Sequence, residues 1–241
     1  KMKFKNSEIF FNPMLPKSGI FQLNKEESNH CIKVMRLNVN DQISVIDGKG
    51  NIAECKILKA NPKATELEII HLKHSLNQLN QSIHIAISPT KNINRFEWFL
   101  EKSVELGIGE ITPIITDNSE RDRLNYGRLE KKLITALKQS QNLILPKLNP
   151  MLKFKEFINI GFENSQKFIC HKGNSTIRFL KNELEKNKKY IILIGPEGGF
   201  SNIEVKNAEE KSFIQVLLGN SRYRTETAGI LACHTIHLFS S

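Results

Sequence analysis

From residue 83 onward, short apolar runs alternate with stretches whose apolar residues recur at helical spacing. No other feature of the sequence restricts the fold as much. The runs IHIAIS (83–88), ITPIIT (111–116), KFICH (167–171), YIILIG (190–195) and IQVLLG (214–219) have strand length. Between them, 94–106 places Phe96, Phe99, Leu100 and Val104 on one helical face, and 128–142 does the same with Leu129, Leu133, Ala136 and Leu137. The last segment, 225–239, aligns Ala228, Leu231, Ala232, Thr235 and Phe239. Parallel neighbours need a long crossover, so strand–helix alternation predicts a mostly parallel sheet with helices on both sides. Ligands of such sheets bind where loops leave the carboxyl ends of the strands.

The first part of the chain follows another pattern. Short runs rich in β-branched and aromatic residues (EIFF, GIFQL, QISVID, NIAECKIL, TELEII) are separated by Asn, Asp, Gly and Pro, which predicts a β domain. Asp47-Gly48-Lys49-Gly50 between two of them reads as a hairpin turn. One helix interrupts: Asn24 can cap it, Glu27 can reach back as in a capping box, and Cys31, Val34 and Met35 follow at helical spacing. The polar stretch KHSLNQLNQS (73–82) marks the boundary, so residues 1–75 and 76–241 are expected as two domains.

The length, 241 residues with 39% hydrophobic and 25% charged, suffices for real cores and excludes disordered, collagen-like and disulfide-scaffold classes. No window reaches the ~18 apolar residues of a membrane span, and no signal peptide is evident at the basic start of the chain. A soluble, cytoplasmic protein with no membrane partner is expected. The four cysteines (Cys31, Cys55, Cys170, Cys233) are far apart, so isolated thiols without a metal site are expected. The net charge of +10 is spread over both parts of the chain and favours a polyanionic partner such as nucleic acid. A Lys- and Asn-rich codon bias is the alternative source of that charge.

Two loops carry chemistry. Ile194-Gly195-Pro196-Glu197-Gly198-Gly199-Phe200-Ser201 follows an apolar strand and enters a helix through Ser201 and Glu204, a capping-box spacing. Its glycines let backbone approach a ligand, although a tight strand-to-helix turn needs them too. The loop lacks the Gly-Lys-Ser/Thr ending of a phosphate loop and the GxGxxG of a dinucleotide site, so kinase and dehydrogenase readings fail. The second, Leu218-Gly219-Asn220-Ser221-Arg222-Tyr223-Arg224-Thr225-Glu226-Thr227-Ala228, opens the last helix. Thr225 can cap it and Glu226 suits its first turn. Arg224 stands at the positive helix end, which is adverse unless an anion or carbonyl lies nearby.

GPEGGFS followed by LG…RTETA resembles the RsmE family, the 16S ribosomal RNA (uracil-N3)-methyltransferases of the SPOUT superfamily. KSVELGIGEITPIIT (102–116) is similar to that family's K-x-x-E-L-G-x-x-x-I-x-P block, and Gln139-Ser140 with Pro146 to its Q-S…P block. His30…Val34-Met35-Arg36 and Asp47-Gly48 resemble its PUA-like RNA-binding β-barrel. The resemblance covers nearly the whole chain. Lys138 and Asn142 depart from the family's usual residues around Q-S, and Ser221-Arg222-Tyr223 replaces a more aliphatic stretch.

The resemblance implies an α+β chain: an N-terminal PUA-like β-barrel, then an α/β SPOUT domain with a trefoil knot and a mostly parallel sheet. It implies a homodimer holding S-adenosylmethionine in the knot, with 16S rRNA in the small ribosomal subunit as partner. The cofactor loops map to Ile115, Thr116, Ile194, Gly195, Gly199, Leu217, Leu218, Gly219, Tyr223 and Thr225. Arg224 is the expected donor to the uracil carbonyls, and Glu226 and Glu197 are the candidate proton acceptors. Arg36, Lys91, Arg95, Arg121 and Arg123, with Arg128, are candidates for RNA phosphates. His30 is open between an RNA contact and a structural role, and Trp98 is expected in core or dimer packing. Two other readings stay open: an RNA- or ribosome-binding protein that kept the fold without catalysis, and a SPOUT methyltransferase acting on another RNA.

Overall fold

The computed structural model describes residues 8–75, 82–173 and 178–240. Most of the polar boundary stretch, 76–81, lies outside the described residues. The chain divides into two compact units: residues 1–77 with 137–145, and residues 78–136 with 146–241.

The first unit contains β1 (Ile9–Phe11), β2 (Ile20–Gln22), α1 (Lys25–Asn29), β3 (Gln42–Ile46), β4 (Asn51–Lys59) and β5 (Glu66–His74). The strand order is β1-β3-β4-β5-β2, antiparallel except for β1 beside β3. The sheet is open, with β1 and β2 as edges, so the barrel-like domain is a half-barrel rather than a closed one. Phe10, Leu23, Cys31, Val45, Cys55, Ile57 and Leu67 form its core. At the β3–β4 turn Asp47 Oδ1 accepts the N–H groups of Lys49 (2.7 Å) and Asn51 (3.1 Å), and Gly48 takes a positive φ of 74°.

Asn24 caps α1 as expected, its Oδ1 accepting the Glu27 N–H at 2.9 Å. The Glu27 carboxylate does not reach back, however. It accepts the Phe11 N–H at 3.3 Å and Lys138 Nζ at 2.7 Å, in a largely buried setting. Lys138 is thereby used inside the unit. Beyond α1 the chain widens into a turn of π-helix over His30–Val34, with the Met35 N–H on the His30 carbonyl at 2.9 Å. The extra residue breaks the expected helical face: Cys31 is buried, but Val34 is 59% exposed. Arg36 then adopts a φ of +58°, sparsely populated for a residue with Cβ.

The second unit holds β6 (Ile83–Ile87), α2 (Ile93–Glu105), β7 (Glu110–Ile115), α3 (Tyr126–Ser140, its last turn counted with the first unit) and β8 (Lys147–Leu148). It continues with β9 (Leu152–Lys153), α4 (Phe154–Ile158), β10 (Ser165–Cys170), α5 (Leu180–Glu183), β11 (Lys189–Ile194), α6 (Asn202–Glu210), β12 (Ile214–Val216) and α7 (Thr225–Ser240). The strands run β12-β10-β11-β6-β7-β8, with β9 also on β7, and every pairing is parallel. The central strands β6 and β11 are buried along almost their whole length, as continuous apolar runs require.

On one face α4 and α6 contribute Phe154, Phe157, Val205 and Ala208 to a cluster with Ala86, Ile114, Ile191 and Leu193. Burying each of the larger side chains is worth roughly 1.5–3 kcal/mol. Elsewhere α7 packs on α2, β6 and β11. This approach is very close at Gly229, where a Cβ would stand 2.6 Å from the Phe99 ring and 3.1 Å from Ile87 Cδ1. Trp98 is 45% exposed and so is not part of the core of this chain. Among the described residues no helix is long and apolar enough to cross a membrane, and no metal-binding cluster of His, Cys, Asp or Glu occurs.

At the amino end of the sheet, strand register aligns His84 with Glu110 and Glu110 with Lys147. Asn149 Nδ2 donates to Glu110 (2.6 Å) and Thr112 Oγ1 (2.8 Å), leaving the Thr112 hydroxyl to face His84 Nε2 at 2.7 Å. Burial lowers the His84 pKa to about 4 against the opposing pull of Glu110.

Three outcomes follow from this packing. Gly229→Ala is expected to lower stability by about 1–3 kcal/mol through overpacking against Phe99, read from the denaturant midpoint. Lys138→Ala leaves Glu27 buried and unpaired; a loss of about 3 kcal/mol is expected, partly recovered by adding Glu27→Gln. His84 binds its proton more weakly folded than unfolded, so stability should fall from its ordinary pKa near 6.5 down to about 4, by ~3 kcal/mol in all. His84→Gln should remove that slope from melts recorded across the same window.

Candidate functional site

Because every pairing is parallel, β10, β11, β12, β6 and β7 present their carboxyl ends along one edge. Three of the loops leaving that edge, after β10, β11 and β12, enclose a cavity of about 630 Å³. Its walls are backbone at Gly195, Gly198, Gly199 and Gly219, and the aliphatic side chains of Ile194, Val216, Leu217 and Leu218.

Hydrogen bonds between loops fix this geometry. Thr225 Oγ1 donates to the Gly195 carbonyl at 3.0 Å, joining the two loops singled out from the sequence. Lys172 Nζ donates to the Asn220 carbonyl at 3.0 Å, joining the third. The Tyr223 hydroxyl packs against Gly219, where a Cβ would require the ring to move. Gly199 has a φ of +74°, which favours glycine.

Below the glycine loop, Ser201 and Glu204 form the expected capping box: Ser201 Oγ accepts the Glu204 N–H at 3.2 Å and Glu204 Oε2 accepts the Ser201 N–H at 2.9 Å. Glu204 Oε1 also accepts the Asp117 N–H at 3.0 Å, and burial raises its pKa above the usual carboxylate range despite these bonds. Asn118 Nδ2 donates to the Gly199 carbonyl at 3.0 Å. The segment after β7 therefore buttresses the glycine loop. Thr116 is buried, with its N–H on Ser119 Oγ at 2.8 Å.

Of the expected cofactor residues, Ile194, Gly195, Gly199, Leu217, Leu218, Gly219, Tyr223 and Thr225 line the cavity. Ile115 and Thr116 do not: Ile115 ends β7 and Thr116 begins the buttress. Thr225 is the first residue of α7, and its hydroxyl donates across to Gly195. Among the catalytic candidates, Arg224 and Glu197 line the cavity. Arg224 is exposed there, with no side-chain hydrogen bond or ion pair among the described residues. Glu197 Oε1 accepts the Lys91 N–H at 3.3 Å. Glu226 is buried away from the lining, 3.8 Å from Arg95 Nε, and its Oε2 has no hydrogen-bond partner among the described residues.

The basic candidates divide sharply. Lys91 pairs with Glu120 at 2.7 Å, Arg95 with Glu226, and Arg128 with Glu97 at 3.0 Å. Arg121 donates to the carbonyls of Thr90 (3.1 Å) and Lys91 (2.7 Å). Arg123 and, in the first unit, Arg36 are exposed. Sequence reasoning missed Cys170, His171 and Lys172, which line the cavity from the end of β10. Their signal was present: KFICH is one of the parallel runs, and its carboxyl end lies in the same row. Burial lowers the His171 pKa.

Comparisons with known proteins agree with this arrangement. An RNA methyltransferase domain family matches residues 77–237, and an RNA methyltransferase PUA domain family matches residues 23–70. The ribosomal RNA small subunit methyltransferase E of Buchnera aphidicola from Acyrthosiphon pisum is 28% identical over 93% of this chain and 90% of its own. That of Bacillus subtilis is 25% identical over 90% of this chain and 89% of its own. Among solved structures, a probable rRNA-methyltransferase from Porphyromonas gingivalis is 33% identical, covers 97% of this chain and 98% of its own, and superposes with a TM-score of 0.89. A ribosomal RNA small subunit methyltransferase E from Neisseria gonorrhoeae, bound to S-adenosyl methionine, shares the fold at 24% identity, with 98% of each chain covered and a TM-score of 0.85.

Proposed function

This chain belongs to the RNA methyltransferase family, and from that premise we propose that it methylates N3 of a uridine in the 16S RNA of the small ribosomal subunit, with S-adenosylmethionine as donor. The observation that carries this reading is the meeting of the glycine loop and the arginine loop around one cavity at the carboxyl ends of a parallel sheet.

The cavity suits the cofactor. Gly195, Gly199 and Gly219 present bare backbone to the cavity, and Leu217 and Leu218 offer an apolar wall. A few fixed polar groups in such a wall are what adenosine recognition requires. When bound, S-adenosylmethionine supplies an electrophilic methyl group on a sulfonium.

The chain's own residues supply alignment and charge stabilisation. Arg224 donates hydrogen bonds to the uracil carbonyls, where negative charge gathers as N3 loses its proton. Its adverse position at the start of α7 is offset in this arrangement by that developing charge. Glu197, on the cavity wall, is the carboxylate placed to accept the proton. Glu226 instead holds Arg95 and stays out of the chemistry. The loops hold both reactants in line, which is the main source of rate in such a transfer.

The same reading includes the knotted path of the SPOUT fold, a homodimer and a cytoplasmic site of action. Leu238, 62% exposed on α7, and Trp98, 45% exposed on α2, are the large apolar side chains these two helices leave to a partner in this reading.

Labelled S-adenosylmethionine with small subunits from cells lacking this protein should yield 3-methyluridine at one position by nucleoside mass spectrometry. Absence of transfer to particles and to naked RNA would overturn the reading. Arg224→Ala is expected to reduce turnover by roughly 100-fold or more while calorimetry shows S-adenosylmethionine binding retained. Wild-type turnover in that variant would remove Arg224 from the mechanism.

A further inference from the structure

Charge around the cavity is one-sided. Of the side chains lining it, Lys172, Arg222 and Arg224 are cationic and Glu197 is the one acid. All three cations are exposed, and none has an ion pair among the described residues. Lys172 gives one proton to the Asn220 carbonyl, and Arg222 makes a long contact of 3.4 Å with the Glu197 carbonyl. Lys91 and Arg95 differ in being paired with Glu120 and Glu226, and Arg121 differs in committing two donors to backbone carbonyls.

This excess does not suit the cofactor. S-adenosylmethionine carries an ammonium and a sulfonium against one carboxylate, so a cationic rim opposes its net charge. A polyanionic strand gains from the same rim. The placement also fits a strand. Lys172 follows β10 and Arg222 lies in the loop after β12, and β10 is hydrogen-bonded to β12, so the two cations flank the mouth from adjacent loops. An enzyme that acts on a base must draw that nucleotide out of its stack, and contacts to the flanking backbone hold the register while it does so.

We infer that Lys172 and Arg222 form a phosphate-binding lip on the cavity, gripping the RNA backbone beside the target nucleotide while Arg224 faces its base. The inference rests on the reading of the cavity as an RNA methyltransferase centre and adds two residues that neither the family pattern nor the basic candidates of the sequence supplied.

The test is binding of a labelled short single-stranded RNA with a central uridine, followed by fluorescence anisotropy across a salt series. Neutralising both residues with Lys172→Gln and Arg222→Gln should weaken binding at low salt. It should also flatten the plot of log affinity against log salt by about 1.4, close to 0.7 for each phosphate that is no longer neutralised. Lys172→Arg with Arg222→Lys keeps both charges and should keep the slope, which separates the lip from a folding defect. Arg121→Gln should leave the slope unchanged. An unaltered slope in the neutral double variant overturns the inference. So does a defect confined to S-adenosylmethionine affinity, which would assign these cations to the cofactor's carboxylate. Because the readout is binding, a protein that showed the expected slopes yet methylated nothing would count against the methyltransferase reading and leave the lip in place.

Discussion

Parallel pairing is the constraint from which the α/β unit's organisation follows. It forces each strand of the main path to be joined to another by a crossover, and it brings the carboxyl ends of β10, β11 and β12 to one edge. Loops that are distant in sequence thereby become neighbours. The Thr225 hydroxyl can reach the Gly195 carbonyl only because β11 and the start of α7 end at the same edge. The close seating of α7 on Phe99 and Ile87, permitted by Gly229, anchors the helix that begins at this site. A side chain in the helix interior thus bears on the cavity through the element both belong to.

The electrostatics of the site are set by which cations have been neutralised. Lys91, Arg95 and Arg128 are paired with acids, and such groups have little left for a ligand. Arg224, Arg222 and Lys172 have no ion pair among the described residues, and all three line the cavity. Glu226 shows the opposite case: a carboxylate in the first turn of α7, well placed for the helix dipole, with one oxygen near Arg95 and the other without a partner among the described residues. Leaving a buried polar oxygen unpaired costs about 1–3 kcal/mol.

Much of this was legible in the sequence because it rests on local signals. Strand length and helical spacing place β6, β7, β10, β11, α2, α3 and α7 to within a few residues, and the capping box at Ser201 and Glu204 marks α6 correctly. What escaped depends on contacts between distant residues. β8 and β9 are two residues long and carry no periodicity of their own; they exist because β7 offers an edge. The π-helical turn after Asn29 is invisible to a test that assumes one period, which is why Val34 does not occupy the face its spacing predicts. The fate of Glu27 was unreadable for a similar reason, since its partner lies 111 residues away. The cavity follows the carboxyl-end rule, and the same rule applied to KFICH leads to Lys172.

The Glu27–Lys138 contact also bears on the order in which the protein can assemble. The first unit is not continuous in sequence: its hairpin turn at Gly48–Gly50 exchanges backbone hydrogen bonds with Leu143 and Leu145, and its buried carboxylate waits for Lys138. On the ribosome, the five strands of this unit are complete long before those residues emerge. Between the two events Glu27 has no lysine and the turn has no partner segment. The N-terminal half is therefore committed to an unfinished state for as long as the next seventy or so residues take to be synthesised, at about 5–20 residues per second. Its final consolidation therefore comes only after the other unit's first two strands have been synthesised.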